Sequence, residues 1–220
     1  MPELPEVETV VRTIRPRLLG RRVVEVRHVR ADIVRPTGML LTDALRTRTI
    51  CTIPRRAKRI VLTLDDHNRL FIHLGMTGRL TVCAPAVEIE KHTHLIAVLD
   101  DGGQLRFTDP RRFGNITWLG QTRENRKSIG PEPLTLSPAR LQRQLQSTTR
   151  AIKTVLLDQT RIAGIGNIYA DEALHRACIH PMRRACDLSA LECRALNRAI
   201  KTVLNRAIRA GGSTLRDYID

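Results

Sequence analysis

Proline at position 2, followed by glutamate at position 3, is the pairing in this 220-residue chain with the clearest capacity for covalent chemistry. Removal of Met1, expected when a small residue such as proline follows, leaves a chain that begins with a secondary amine. A free α-amino group has a pKa of roughly 8, so an appreciable fraction is unprotonated and nucleophilic near neutral pH. A retained Met1 would acylate that nitrogen and leave no nucleophile. Glu3, one residue away, can move protons for the amine. A nucleophilic amine beside an acid/base is the equipment for Schiff-base chemistry at a sugar or carbonyl carbon. The structural alternative is that Pro2 and Pro5 only keep the start extended before a helix beginning near Glu6, with Pro5 near its first turn.

Four further stretches carry groups of chemical interest. Arg55-Arg56-Ala57-Lys58 places three cations in four residues on a hairpin edge, which reads as a phosphate patch or as a solvated face. His73-Leu74-Gly75-Met76-Thr77-Gly78 is a glycine-bracketed turn that would push Met76 outward, where an apolar side chain gains little unless something covers it. Ordinary core filling is the alternative for Met76. Asp109-Pro110-Arg111-Arg112-Phe113-Gly114 offers two guanidinium groups and one of only three phenylalanines in a turn between strands. An apolar wedge with an arginine beside it opens a base step and occupies the gap left by an extruded nucleotide. Its alternative is a Phe113 packed inward with the arginines in solvent. Finally, Gly164 and Gly166 stand just before a helix start at Asn167. Their backbone N–H groups could approach a phosphate at the positive end of that helix, as in a helix–turn–helix unit gripping a phosphodiester backbone.

The elements that must position these groups follow from periodicity. Val7, Val10, Val11, Ile14 and Leu18 share one helical face, and Gly20 is a plausible stop. From Val23 to Leu119 the pattern changes to short β-rich runs: Val23–Val29, 50–53, 60–64, 70–74, 80–83, 95–99, 105–108 and 116–119. Turn clusters at 65–68 and 100–103 separate them, so hairpins and an antiparallel sandwich are expected. Residues 121–137 are polar and proline-bearing and read as a linker. Beyond them the pattern is helical: 138–145, 150–157, 167–177, and a long helix announced by a capping box at Ser189–Glu192 and ended by Gly211-Gly212. The fold class expected is α+β, with an N-terminal β-sandwich domain (1–120) flanked by an N-terminal helix, the linker (121–137), and a helical domain (138–220).

Composition narrows the partner. Lys and Arg outnumber Asp and Glu 37 to 22, a net charge of +15, which favours a polyanion, nucleic acid before membrane. Six aromatic residues (one Trp, two Tyr, three Phe) make a base-stacking platform for single strands a poor fit, and backbone grip on a duplex a better one. No apolar run approaches the ~18 residues of a membrane span. The five cysteines form no C-x-x-C pair, so neither a disulfide framework nor a metal site is expected. Reduced, mostly buried thiols in a soluble cytoplasmic protein are the expectation.

Taken in order, Pro2-Glu3-Leu4-Pro5-Glu6-Val7-Glu8, Arg-Arg-Ala-Lys, His-Leu-Gly-Met-Thr-Gly, Asp-Pro-Arg-Arg-Phe-Gly, Ile129-Gly130-Pro131-Glu132-Pro133 and Gly-Ile-Gly-Asn-Ile-Tyr-Ala resemble the bacterial formamidopyrimidine-DNA glycosylase family from residue 2 to residue 218. The resemblance implies a helix–two-turn–helix DNA-binding unit in the helical domain. It implies that Pro2 attacks C1′ of a damaged nucleotide and that Glu3 protonates the sugar ring oxygen. Lys58 would contact phosphate and act as acid/base in β-elimination, a role helped if Arg55, Arg56 and Arg59 favour the neutral amine. Met76, Arg111 and Phe113 would fill the vacated space, Arg111 facing the orphaned cytosine. His73, His92, Lys153 and Asn167 would hold phosphates. The implied substrate is oxidised purine (8-oxoguanine and formamidopyrimidines) in duplex DNA, removed in base-excision repair by a monomer near the bacterial nucleoid, with no diffusible cofactor.

Members of the family continue into a zinc ribbon of cysteines that this sequence, which stops at Asp220, does not include. With it go the usual loop over the flipped base and the hairpin arginine credited with δ-elimination. Both parts can lie outside the sequence given; if the chain is naturally complete, severely reduced DNA affinity and turnover are expected, with the chemistry of Pro2 still possible in principle. Two other readings stay open: an endonuclease VIII-like enzyme for oxidised pyrimidines, and a DNA-binding remnant without turnover. A generic RNA-binding protein would account for the charge but not for Pro2, Glu3 and the Asp109–Gly114 turn.

Overall fold

The computed structural model describes residues 1–121 and 129–212. The rest of the expected linker (122–128) and residues 213–220 lie outside the described residues. The chain divides into two compact units. Among the described residues, the first holds 1–2 and 6–121, and the second holds 3–5 and 129–212.

Helix α1 (Leu4–Leu18), which belongs to the first unit from Glu6 onward, starts two residues before the expected Glu6, with Pro5 in its opening turn, where a missing N–H costs no helical bond. Its apolar face buries Val7, Val10, Val11, Ile14 and Leu18. Ten strands follow: β1 (Val23–Val29), β2 (Val34–Arg35), β3 (Ile50–Thr52), β4 (Arg55–Arg56), β5 (Arg59–Leu64), β6 (Arg69–His73), β7 (Arg79–Cys83), β8 (Thr93–Leu99), β9 (Gln104–Thr108) and β10 (Asn115–Gly120), with a short helix α2 (Leu41–Leu45) after β2. One sheet has the order β1-β8-β9-β7. The other runs β2-β10-β6-β5-β3, and β4 folds back on β5. Neighbours are antiparallel except β2 and β10, which pair in parallel. Both sheets and α1 contribute to a single apolar cluster, in which Ile60 pairs with Ile72 and Ile72 with Ile116 across the second sheet.

The eight expected strands and both turn clusters are present. Asp66 accepts from the Asn68 N–H, and Asp101 from the Gly103 N–H, so each aspartate closes its own turn. Strands β2 and β4 and helix α2 were not expected; at two to five residues they are too short to leave a period.

The second unit comprises α3 (Pro138–Gln146), α4 (Ile152–Leu157), α5 (Asn167–Arg176) and α6 (Ala190–Ala210) around their own core, to which Leu4 belongs. Ser189 and Glu192 form the expected capping box, and Gly211 ends α6 with φ 81°. Within 129–137, Ile129 and Leu136 are buried, and the Leu136 carbonyl accepts from the buried Asn197 amide.

The expectation of mostly buried thiols is corrected. Only Cys193 is buried; Cys51 and Cys178 are exposed and Cys83 and Cys186 half-buried, all unpaired. No helix among the described residues is long and apolar enough to cross a membrane.

Candidate functional site

Glu3 is almost wholly buried, and its carboxylate sits on the N-terminus of α5. The Gly166 N–H donates to Oε2 at 2.6 Å and the Ile168 N–H to Oε1 at 3.0 Å. These are donors that the first turn of a helix leaves without partners, and the helix dipole favours negative charge there. The adjacent backbone is pinned as well, since the Leu4 N–H donates to the Gly164 carbonyl at 3.0 Å.

This corrects the role expected for the two glycines. The N–H groups of Gly166 and Ile168 bind the protein's own carboxylate, and that of Gly164 donates to Gln159 Oε1. The glycines are needed for closeness. A Cβ on Gly166 would lie 2.4 Å from Glu3 Cδ, and one on Gly164 (φ +88°) 2.8 Å from Leu4 Cδ1. Pro2 is buried and directly precedes Glu3 in the chain.

In the first unit, Lys58 lies in the β4–β5 turn and is only 7% exposed. The Arg-Arg-Ala-Lys stretch is therefore not a solvated face. Arg55 pairs with Glu8 of α1 at 3.1 Å and donates from Nη1 to the Ala57 carbonyl at 2.9 Å, which holds the tight turn (Ala57 φ 55°). Arg59 lies over the Phe71 ring, 5.5 Å from its centre.

His73, at the end of β6, accepts the Gly75 N–H at Nδ1 (3.0 Å), so the neutral ring carries its proton on Nε2 and can donate from there. Burial, then the charges of Arg59 and Lys58, hold its pKa below the ordinary value. A depressed histidine pKa means that the unfolded chain takes the proton first. Stability contributed by neutral His73 is full above pH ~6.5 and is lost as pH falls toward the lower folded value. Urea midpoints should therefore fall less on acidification in His73→Asn than in the wild type. Parallel curves would contradict this.

The turn after His73 and the Asp109–Gly114 turn are in contact. A Cβ on Gly75 (φ +66°) would lie 2.4 Å from the Gly114 nitrogen. Fully buried Asp109 ties them together: Oδ1 accepts from Thr77 Oγ1 (2.6 Å) and the Arg111 N–H (3.3 Å), and Oδ2 from the Gly114 N–H (2.7 Å). Asp109 also donates its N–H to the His92 carbonyl, and its own carbonyl contacts Nε2 of buried His94 at 2.8 Å. On this frame stand Met76, 38% exposed, and Phe113, 54% exposed, with the Arg111 guanidinium 5.0 Å from the Phe113 ring centre. Both apolar side chains are exposed. Exposed His92 borders the same frame.

In the second unit, Lys153 on α4 pairs with Asp171 on α5 at 2.8 Å, and exposed Asn167 opens α5. Sequence reasoning assigned no role to Asp109, Thr77, His94 or the Glu8–Arg55 pair. Asp109 stood inside a quoted stretch, but burial is what reveals its function. As for the ribbon zinc of the family, no three His, Cys, Asp or Glu side chains are gathered to hold a metal among the described residues.

Residues 1–116 match the formamidopyrimidine-DNA glycosylase N-terminal domain and residues 129–218 the H2TH domain of that glycosylase. The formamidopyrimidine-DNA glycosylase of Desulforamulus reducens is 45% identical, covering 100% of this chain and 82% of its own. That of Roseiflexus is 46% identical, over 99% and 82%. Among solved structures, the Lactococcus lactis enzyme non-covalently bound to DNA containing an AP site superposes with a TM-score of 0.90 at 34% identity, over 97% of this chain and 83% of that one. Its complex with FAPY-dG-containing DNA matches equally, at TM-score 0.90 and 34% identity, over 98% and 83%.

Proposed function

The chain belongs to the formamidopyrimidine-DNA glycosylase family, and on that premise we propose how its residues divide the reaction. It is a base-excision repair enzyme, a DNA glycosylase and AP lyase whose partner is DNA. The substrate we assign is oxidised purine, 8-oxoguanine or a formamidopyrimidine, in a duplex, handled by a monomer in the cytoplasm at the nucleoid.

A base inside a duplex is out of reach, so the damaged nucleotide is extruded. Phe113 and Met76 enter the gap, and Arg111, braced on Phe113, faces the orphaned base. His73, His92, Lys153 and Asn167 hold phosphates, His73 through Nε2–H and Lys153 by exchanging Asp171 for phosphate.

The Pro2 nitrogen then attacks C1′ and the bond to the base breaks, its electron pair leaving with the base. The Glu3 carboxylate takes up the proton that the attacking nitrogen sheds and passes it to the ring oxygen as that oxygen leaves C1′, so that the nitrogen–carbon bond becomes an iminium, while the departed base takes its proton from water. Loss of a C2′ proton expels the 3′ phosphate by β-elimination, with Lys58 moving the proton; water releases the sugar remnant and restores Pro2. As assigned, these steps use only the amine and side chains of this chain and call for no diffusible cofactor.

The observation that carries this reading is the buried Glu3 carboxylate, fixed by two backbone donors one residue from the amine. The test is release of 8-oxoguanine, compared with an oxidised pyrimidine, from otherwise identical duplexes. Excision of the purine should dominate. Phe113→Ala should lower it by about 1–3 kcal/mol, roughly 5- to 150-fold, by analogy with lost base–aromatic stacking. The loss should shrink on a single-stranded abasic substrate, which has no stack to hold open. Pyrimidine preference, or an indifferent Phe113→Ala, would overturn the assignment.

A further inference from the structure

Helix α6 carries a row of cations that the reaction does not use. Arg194, Arg198, Lys201 and Arg209 fall within an arc of about 80° at 3.6 residues per turn, with Asn205 between the last two. The row is about 22 Å long at 1.5 Å per residue. Arg194, Arg198 and Arg209 are exposed and Lys201 half-buried, and none of the four has a side-chain hydrogen bond or ion pair among the described residues. The one acidic residue of α6, Glu192, is bound to Arg183 and to its own cap. Like charges spaced three and four apart weaken a helix, so an unrelieved row is a cost that an external polyanion would remove.

The apolar face of α6 is spent on the core: Cys193, Leu196, Ile200, Val203 and Leu204 are buried and the helix packs on α3 and α5. The cationic row lies on the opposite face of the helix from these residues. A membrane-surface helix would need a free apolar face, which α6 lacks.

We propose that this row is a second DNA-binding surface, one that holds the backbone of duplex outside the stretch gripped around the lesion and lets the enzyme move between DNA segments without letting go. Axial steps of ~6, ~4.5 and ~12 Å between the four cations leave room for each to meet its own phosphate along a strand. The proposal rests on DNA as the partner but not on the assignments at Pro2, Glu3 or Lys58.

The test is the quadruple variant Arg194→Gln, Arg198→Gln, Lys201→Gln and Arg209→Gln in the full chain, all at exposed or half-buried helical positions where glutamine is well tolerated. Binding to a long undamaged duplex is measured against salt, alongside single-turnover excision on a short lesion duplex. The expected result is a salt slope reduced by about 3–4 units on the long duplex, from four lost phosphate contacts, with excision on the short duplex unchanged. An unchanged slope would overturn the proposal. So would an equal loss of excision on the short duplex, which would place the row in the lesion site. A wild-type chain without excision would instead refute the reaction proposed above and leave the salt slope to judge this surface.

Discussion

Gly166→Ala should lower excision of 8-oxoguanine from duplex DNA by about a hundredfold or more while leaving the fold intact. At φ −126° and ψ −162° the Gly166 backbone is extended, a conformation open to any residue, so the substitution brings no backbone strain. What it brings is a methyl group 2.4 Å from Glu3 Cδ and Oε1. The carboxylate must leave the two N–H groups that hold it, and displacement of a reacting group by ~1 Å costs on the order of 10²-fold. Glu3→Gln approaches the same point from the other side. It preserves shape but cannot deliver a proton, and its amide turns an NH₂ toward a backbone donor; loss of general acid catalysis is worth about 10²–10⁴-fold. On a preformed abasic duplex both variants should lose less, because an abasic sugar already samples its open aldehyde. Full excision by a folded Gly166→Ala protein would show that the placement of Glu3 is not what matters.

The second large effect is expected at Asp109, and in stability. Asp109→Ala strips a buried site of its acceptor and leaves the Thr77 hydroxyl and Gly114 N–H facing nothing. A buried polar group left without a partner costs about 1–3 kcal/mol, so the variant should lose roughly 2–5 kcal/mol out of a typical 5–15. Asp109→Asn should be far milder, about 1 kcal/mol, because its carbonyl can still accept from Gly114 while its NH₂ donates to a reoriented Thr77 hydroxyl. Urea unfolding of the pair separates the two. Since Met76, Arg111 and Phe113 stand on this frame, excision should fall in step with the stability loss. Equal midpoints for Asp109→Ala and Asp109→Asn would contradict the hydrogen-bonded frame.

These two sites show what the sequence could and could not convey. Regular alternation and turn chemistry made the hairpins legible: Leu80 and Val82 alternate with partly exposed neighbours on β7, and Asp66 and Asp101 close their turns in the way such residues favour. Helix α6 announced itself through Ser189, Glu192 and Gly211. Roles that depend on contacts across sequence were not legible. Glycines at 164 and 166 suggested a phosphate cradle because nothing local says that Glu3, more than 160 residues earlier, will fill it. Arg55 read as a surface cation because its partner Glu8 lies on a helix 47 residues away. Elements such as β2 and β4, two residues each, exist only because a neighbouring strand offers hydrogen bonds.

Borohydride trapping reads out whether the Pro2 amine is the nucleophile. A duplex with a single 8-oxoguanine opposite cytosine and a matching abasic duplex are incubated with the protein and borohydride, and intact mass is read. A covalent protein–DNA adduct is expected on both duplexes, on a protein lacking Met1. A protein that lacks Met1, binds both duplexes and yields no adduct on either would contradict it.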